Sequence, residues 1–406
     1  MMADAVKASA HVYIIAGEES GDRLGAALIG ALRQATDGHI RISGLGGAQM
    51  AALGVNSAFP LGDLAIIGFA AIPARLWKIL KRIAEAAAAV IAANPDVLVI
   101  VDSPDFTHRI ARRVRRQAPH IPIIDYVCPS VWAWRPGRAK AMRGYIDHVL
   151  ALLPFEPATL RRLGGPPATY VGHPLTEQIG KLRPNAAEAL RRRADPPLVL
   201  ALPGSRTGEV RRLAATFGAA LERLRDRFGP LEVVVPAVPH LAGEVRQAAA
   251  AWSVPARVVT EPADKHAAFR QARAALTKSG TSTLELALAG VPMVAAYKVS
   301  MVEEAVARAL IKVSTVILAN LVLGEEIVPQ FLQRDCTAER LAAALFPLLT
   351  DGPERARQTA AFGRLDAIMG VGEGVPSARA AGVVLSYLPK RGQVAQELVA
   401  LARPSA

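Results

Sequence analysis

Cysteine is nearly absent from this chain of 406 residues: Cys128 and Cys336 are the only two, and they stand far apart. Two distant thiols exclude a disulfide framework and a zinc site of paired cysteines, and they point to a reducing cytoplasm. Aromatic residues are scarce, at 5%. No uncharged apolar run reaches the roughly 18 residues that a spanning helix needs. The opening MMADAVKASAHVYIIAG carries Asp4 and no long apolar core, and is read as holding no secretory signal. The glycine pattern GxGxxG does not follow the first strand-like segment, so the dinucleotide fingerprint is missing.

What is present belongs to a large globular chain. Hydrophobic residues make up 51%, with alanine and leucine foremost, which favours helices packed on sheets. The length suits two or more domains. Lys and Arg number 48 against 35 Asp and Glu, a formal charge of +13. That balance suits an acidic partner: a phosphorylated substrate, nucleic acid or an anionic lipid surface.

The most informative stretch is Thr277 to Tyr297, TKSGTSTLELALAGVPMVAAY. Ser279-Gly280-Thr281 places small residues where a strand turns into a helix, and the first N–H groups of such a helix form a ready phosphate site. Glu285 follows one turn later, within reach of a sugar hydroxyl beside that phosphate. Gly290 ends the helix and Pro292 forbids its continuation. An ordinary strand-to-helix joint with a solvated glutamate fits the same letters.

Taken in order, His11 to Ala16 is a short apolar strand that enters Gly17-Glu18-Glu19-Ser20-Gly21-Asp22 and then a helix. The acidic residues would repel a pyrophosphate, so Glu18, Ser20, Gly21 and Asp22 read either as a polyol-binding turn or as a tight turn with a helix cap. Leu64 to Ile72 is apolar, and Leu76, Trp77, Leu80 and Ile83 form a stripe after Pro73 among basic neighbours. Such a stripe is either core or a lipid-facing surface. Val97 to Val101 (VLVIV) has no polar member and reads as a strand buried on both faces. Asp102 stands at its carboxyl end, where open α/β sheets keep their ligands, and is assigned function; Asp105 is assigned to capping. Two tryptophans and two arginines fall in CPSVWAWRPGR, 128–138, as an anchoring or phosphate-facing surface. His173 reads as a structural histidine. Charge and proline cluster in KLRPNAAEALRRRADPP, 181–197, and mark a domain boundary. A second strand series starts at Leu198 to Leu202, and Arg206, beside Gly204 and Ser205, is placed as a diphosphate clamp. Asn320 has the paired donor and acceptor to fix a base or a sugar.

Nine segments in this order are similar to one family: GEESGD (17–22), GLGGAQM (44–50), VDSPDF (101–106), CPSVWAWRPGR (128–138), LLPFE (152–156), VGHP (171–174), LPGSR (202–206), KSGTSTLE (278–285) and LANLVLGEEIVPQFLQ (318–333). Together they resemble lipid-A-disaccharide synthases, from about residue 11 to about 385. Two positions depart from that pattern: Gln330 where glutamate is usual, and Cys128 where serine is common.

The resemblance implies an α/β GT-B fold, with two Rossmann-like doubly wound domains facing a cleft. The expected division is 1–185 for the acceptor, 196–365 for the UDP-sugar donor, and 366–406 as C-terminal helices that pack back or are exchanged in a homodimer. It implies an inverting condensation of UDP-2,3-diacylglucosamine with 2,3-diacylglucosamine 1-phosphate (lipid X), giving a β-1,6 disaccharide 1-phosphate and UDP. In those terms Asp102 is the base and Arg206 stabilises departing UDP. Ser205, Ser279, Gly280, Thr281, Glu285 and Asn320 hold the donor, and Glu18, Ser20, Gly21 and Asp22 face the acceptor. No Asp-x-Asp motif is present and no metal or cofactor is expected. A peripheral place on the cytoplasmic face of a Gram-negative inner membrane turns Ile67, Phe69, Ile72, Leu76, Trp77 and Leu80 into membrane contacts. Rival readings are a murein-precursor glycosyltransferase or UDP-sugar epimerase of the same fold, an NAD-dependent oxidoreductase, and a basic nucleic-acid-binding module. The first pair should lack the Trp-Ala-Trp and VDSPDF stretches, the second lacks its glycine fingerprint, and the third lacks an aromatic-studded basic strand or a recognition helix.

Overall fold

The computed structural model describes residues 10–57, 59, 72–300, 304 and 315–389. These fall into two compact units. One is drawn from Met1–Val131, Arg135–Pro174 and Gly374–Ala406, the other from Trp132–Trp134 and Leu175–Glu373.

The first unit is built on six parallel strands: β1 (Ala10–Ala16), β2 (Ile40–Leu45), β3 (Val97–Val101), β4 (Ile123–Tyr126), β5 (His148–Ala151) and β6 (Ala168–Tyr170). Their order is β2-β1-β3-β4-β5-β6. The uniformly apolar β3 is fully buried, because both faces of the sheet are covered. Alternate side chains sort to opposite faces. Val97, Val99 and Val101 join Leu28, Ile29 and Leu32 of the helix Glu19–Ala35, and Ala380, Ala381 and Val384 of the last described helix, Pro376–Ser386. Leu98 and Ile100 face Ile83 and Val90 of the helix Ile72–Ala93, and Ile110 and Val114 of the helix Pro104–Gln117.

The second unit repeats the plan with β7 (Leu198–Leu202), β8 (Glu232–Pro236), β9 (Ala256–Val259), β10 (Ala274–Lys278), β11 (Met293–Tyr297) and β12 (Gln330–Leu332), in the order β12-β11-β10-β7-β8-β9. Its pairs are also parallel. The helices Thr207–Phe228 and Ala338–Leu349 cover one face of it. Both sheets reverse their winding once: between β1 and β3 in the first unit, between β7 and β10 in the second. Beyond the carboxyl ends of such strand pairs the following segments part to opposite faces and leave a crevice.

The apolar stripe of the helix Ile72–Ala93 divides. Ile83, Ala86, Ala87 and Val90 are buried, whereas Trp77 is 74% exposed and Leu80 half-buried, with Lys78 and Lys81 exposed beside them. Ile67 and Phe69, and the side chains of Ile72 and Leu76, lie outside the described residues. No described helix is long and apolar enough to cross a membrane.

The β1–β2 pairing tolerates nothing larger than glycine at position 44, where a Cβ would stand 1.9 Å from the Ile14 carbonyl oxygen. Gly44→Ala is expected to cost about 3 kcal/mol, since the clash is with backbone that cannot rotate away. Urea denaturation against wild type measures it; a loss below about 0.5 kcal/mol would mean that the two strands are not in this register.

Candidate active site

At the first switch point the helix Glu19–Ala35 starts directly against the end of β3. Two glycines allow it: a Cβ on Gly17 would stand 2.5 Å from the Ser103 Cβ, and one on Gly21 3.0 Å from the Val101 carbonyl oxygen. Ser20 Oγ thereby reaches Asp102 and donates to its Oδ2 at 2.7 Å. The Ser103 N–H donates to Oδ1, also at 2.7 Å. Asp102 and Ser103 both have left-handed backbone, φ 55° and 46°. Two adjacent non-glycine residues in that region cost about 1–3 kcal/mol each, and persist only where neighbours hold them. Here the Asp102 N–H donates to the Tyr126 carbonyl at 3.0 Å, and Thr107 Oγ1 donates to the Asp102 carbonyl at 2.7 Å. The outcome is a half-buried carboxylate fixed at a strand end. In the helix Pro104–Gln117, buried His108 faces buried Asp125 of β4 at 3.0 Å.

The neighbouring acidic residues separate by role. Glu18 is exposed. Asp22 is buried, and its oxygens accept from the N–H groups of Gly47 (2.7 Å), Gln49 (2.9 Å) and Met50 (3.1 Å), which secures the turn after β2. Asp105, expected as a cap, instead pairs with Arg138 at 3.0 Å. Burial pushes the Cys128 thiol far above its ordinary range, as does the nearby charge of Glu156 and Asp125, which leaves it no thiolate chemistry. Burial, with a smaller push from Arg23, lowers His173 to about 4, so it stands neutral near pH 7.

At the second switch point β7 runs into Pro203-Gly204-Ser205-Arg206 and β10 ends at Lys278 before Ser279-Gly280-Thr281. Gly280 has φ 150°, and no side chain caps the helix Thr281–Leu288 that it starts. The Ser279 hydroxyl is engaged elsewhere: its Oγ donates to the Val316 carbonyl at 3.0 Å. Arg206 is 77% exposed along its side chain. Glu285 is buried, with both oxygens on Lys265 Nζ at 2.7 and 2.9 Å. Asn320 is buried and spends its amide locally: Nδ2 donates to the Val328 carbonyl (2.9 Å) and Oδ1 accepts from the Val328 N–H (2.8 Å). Gln330 Oε1 accepts from Thr315 Oγ1 at 3.2 Å and the Val316 N–H at 3.3 Å, in the segment that Ser279 also holds.

Three residues were not singled out from sequence. Glu209, 6% exposed, accepts from the Ser205 N–H at 3.0 Å and from Lys278 Nζ at 2.9 Å, and so joins the two loops. Lys278 stood inside the KSGT segment and Glu209 four places after Ser205, signals that an anion site should carry a counter-charge nearby. Lys265 had no local signal.

The described geometry can be set beside known proteins. The family model "Lipid-A-disaccharide synthetase" matches residues 12–368. A lipid-A-disaccharide synthase of Rhodopseudomonas palustris is 58% identical over 93% of this chain and 96% of its own length. One from Nitrobacter hamburgensis is 58% identical over 95% and 98%, and one from Ruegeria pomeroyi 45% identical over 93% and 95%. Among solved structures, MurG of Acinetobacter baumannii aligns with TM-score 0.55 at 18% identity, over 93% of this chain and 99% of that one. A UDP-GlcNAc 2-epimerase of Neisseria meningitidis bound to UDP-GlcNAc aligns with TM-score 0.60 at 13% identity, over 93% and 100%. The structural likeness is one of fold.

His173 gives a stability signature of the first unit. Its pKa is lowered in the folded state, so above about 6.5 it is neutral folded or unfolded and contributes nothing. As pH falls from 6.5 towards 4 the unfolded chain binds the proton first, and stability is lost by up to about 3 kcal/mol. His173→Asn is expected to flatten that limb of the stability-versus-pH curve; an unchanged slope between pH 6.5 and 4 would show that His173 is solvated.

Proposed function

Since the chain belongs to the lipid-A-disaccharide synthetase family and catalyses formation of the lipid A disaccharide from UDP-sugar and lipid substrates, we infer that the two switch points divide that reaction. The second unit takes the UDP-sugar donor and the first takes the acceptor. The donor is UDP-2,3-diacylglucosamine and the acceptor lipid X.

The observation that carries this reading is the Asp102 turn. A carboxylate fixed by Ser20 and by its own strained backbone has the position of a general base. Asp102 accepts the proton of the acceptor 6-hydroxyl as that oxygen bonds to the donor anomeric carbon from the face opposite UDP. The bond from that carbon to the β-phosphate oxygen breaks, UDP leaves with its electron pair, and the configuration inverts. A base so placed is worth about 10²–10⁴-fold in rate. On the donor side the exposed Arg206 and the uncapped helix start after Gly280 receive the charge that grows on UDP. Glu285 holds the ribose hydroxyls, with Lys265 aiming it by donating to both of its oxygens. Asn320 supports the uridine through the Ile327–Val328 backbone, since its own amide is already bonded there.

We further propose that residues from Ile67 to Leu80 meet the anionic cytoplasmic face of the inner membrane. The exposed Trp77, flanked by Lys78 and Lys81, supports it: an indole settles at a lipid interface and the ammonium groups meet acidic headgroups. On the family resemblance alone, we also propose a homodimer with exchanged C-terminal segments.

UDP release from the two substrates in detergent micelles with EDTA tests the chemistry. Wild type is expected to form disaccharide. Asp102→Ala should bind UDP as wild type does while kcat falls by at least about 10²-fold. Turnover retained in the variant would move the base to another residue, and no disaccharide from wild type would sink the substrate assignment.

For the membrane and the dimer, one preparation serves. Wild type should cosediment with anionic vesicles and Trp77→Ser several-fold less, while sedimentation velocity in detergent reports a dimer mass. Equal vesicle binding by the two proteins, or a monomer mass, counts against the respective proposal.

A further inference from the structure

The second switch point holds one more cation than Arg206. Lys278 ends β10, and its side chain is only 18% exposed. Its ammonium lies 2.9 Å from Glu209 Oε1 and 5.4 Å from the centre of the Tyr297 ring. It also lies 3.2 Å from the point where a Cβ on Gly280 would stand. The ammonium therefore lies directly over the residue that opens the Thr281–Leu288 helix, whose start no side chain caps. An anion held by the first N–H groups of that helix comes within reach of Lys278.

Glu209 explains why the lysine is held there. One oxygen accepts from the Ser205 N–H, which fixes the loop after β7, and the other faces the Lys278 ammonium. Gly204 is needed for this approach, since a Cβ there would stand 2.5 Å from the Glu209 Cβ. A buried carboxylate beside a diphosphate site is unfavourable unless a cation offsets it. Arg206 approaches the same carboxylate only at 3.6 Å and from solvent, a weak partner.

We propose that Lys278 is a diphosphate-binding residue of the donor site, held over the helix start by Glu209 until the donor arrives. The proposal rests on the donor reading above and adds a residue to it. Lys278 shares the negative charge that passes to the β-phosphate as the sugar–oxygen bond breaks, alongside Arg206 and the helix N–H groups. The competing account is that Lys278 only neutralises Glu209.

Titration calorimetry of the full chain with UDP and with uridine separates the two. Lys278→Met is expected to weaken UDP about 10- to 100-fold, leave uridine unchanged, and be largely rescued by Lys278→Arg. Because that variant leaves a buried carboxylate unpaired, the lysine is also read in a neutral background, by comparing Glu209→Gln with Glu209→Gln/Lys278→Met. The double variant should still bind UDP about 10-fold or more worse than Glu209→Gln. Equal UDP affinity in that pair, or equal losses for UDP and uridine, would overturn the role of Lys278. A folded wild type that binds no UDP would instead remove the donor reading itself.

Discussion

The constraint on which the rest depends is the single reversal of winding in each parallel sheet. Strands that lie side by side at the reversal send their next segments to opposite faces, so their carboxyl ends are not covered by a crossover. In the first unit this exposes the ends of β1 and β3, and in the second those of β7 and β10. Every residue given a chemical role at a strand end sits at one of these four ends. The glycines follow from the same constraint. Gly17 and Gly21 stand where two segments leave adjacent strands so closely that a Cβ would strike a neighbour, and Gly204 stands where a Cβ would strike Glu209 of the helix that follows its own loop.

Much of this was legible in the sequence. Strands such as VLVIV are apolar throughout because parallel sheets covered by helices bury both faces, and that pattern needs no partner to be read. The turns after β1, β3, β7 and β10 were legible for a similar reason: small residues and glycine mark a strand that ends sharply in a helix. Strand β12 was missed, because three half-buried residues at a sheet edge carry no period long enough to see. Asp105 was misassigned because a carboxylate after Pro104 is as good a partner for a distant arginine as for a helix N–H. Asp22 and Asn320 show the harder limit. Their letters announce hydrogen-bonding capacity, but whether that capacity is spent on backbone or left for a ligand is decided by chain segments folded next to them.

The electrostatics show how an acidic sequence motif coexists with an anionic ligand. The net charge of +13 says nothing about where cations are needed. Three buried carboxylates near the strand ends are compensated by an immediate neighbour: Asp22 by three backbone N–H groups, Glu285 by Lys265, Glu209 by Lys278. Local compensation matters because a buried ionised group without a partner costs several kcal/mol, whereas a surface charge several ångströms further away is screened. A carboxylate that is already neutralised can order loops beside a diphosphate without repelling it.

The division of the reaction proposed above sets the two units different mechanical problems. Proton removal needs a base within about 3 Å of one hydrogen, and misplacement is expensive. In the role proposed for it, Asp102 would meet this with a short side chain on a backbone held in a left-handed conformation, where strain is accepted in return for position. Stabilising a leaving diphosphate is a different task, since its charge spreads over several oxygens that move as the bond lengthens. Long side chains serve it better. In the donor site proposed here, Arg206 and Lys278 would give up more rotamer freedom on binding but could follow the charge as it shifts, with the N–H groups after Gly280 as the centre about which they adjust. A fixed base and adaptable cations are what the proposed roles would ask of one sheet architecture, with a proton acceptor at one strand end and a departing anion at the other.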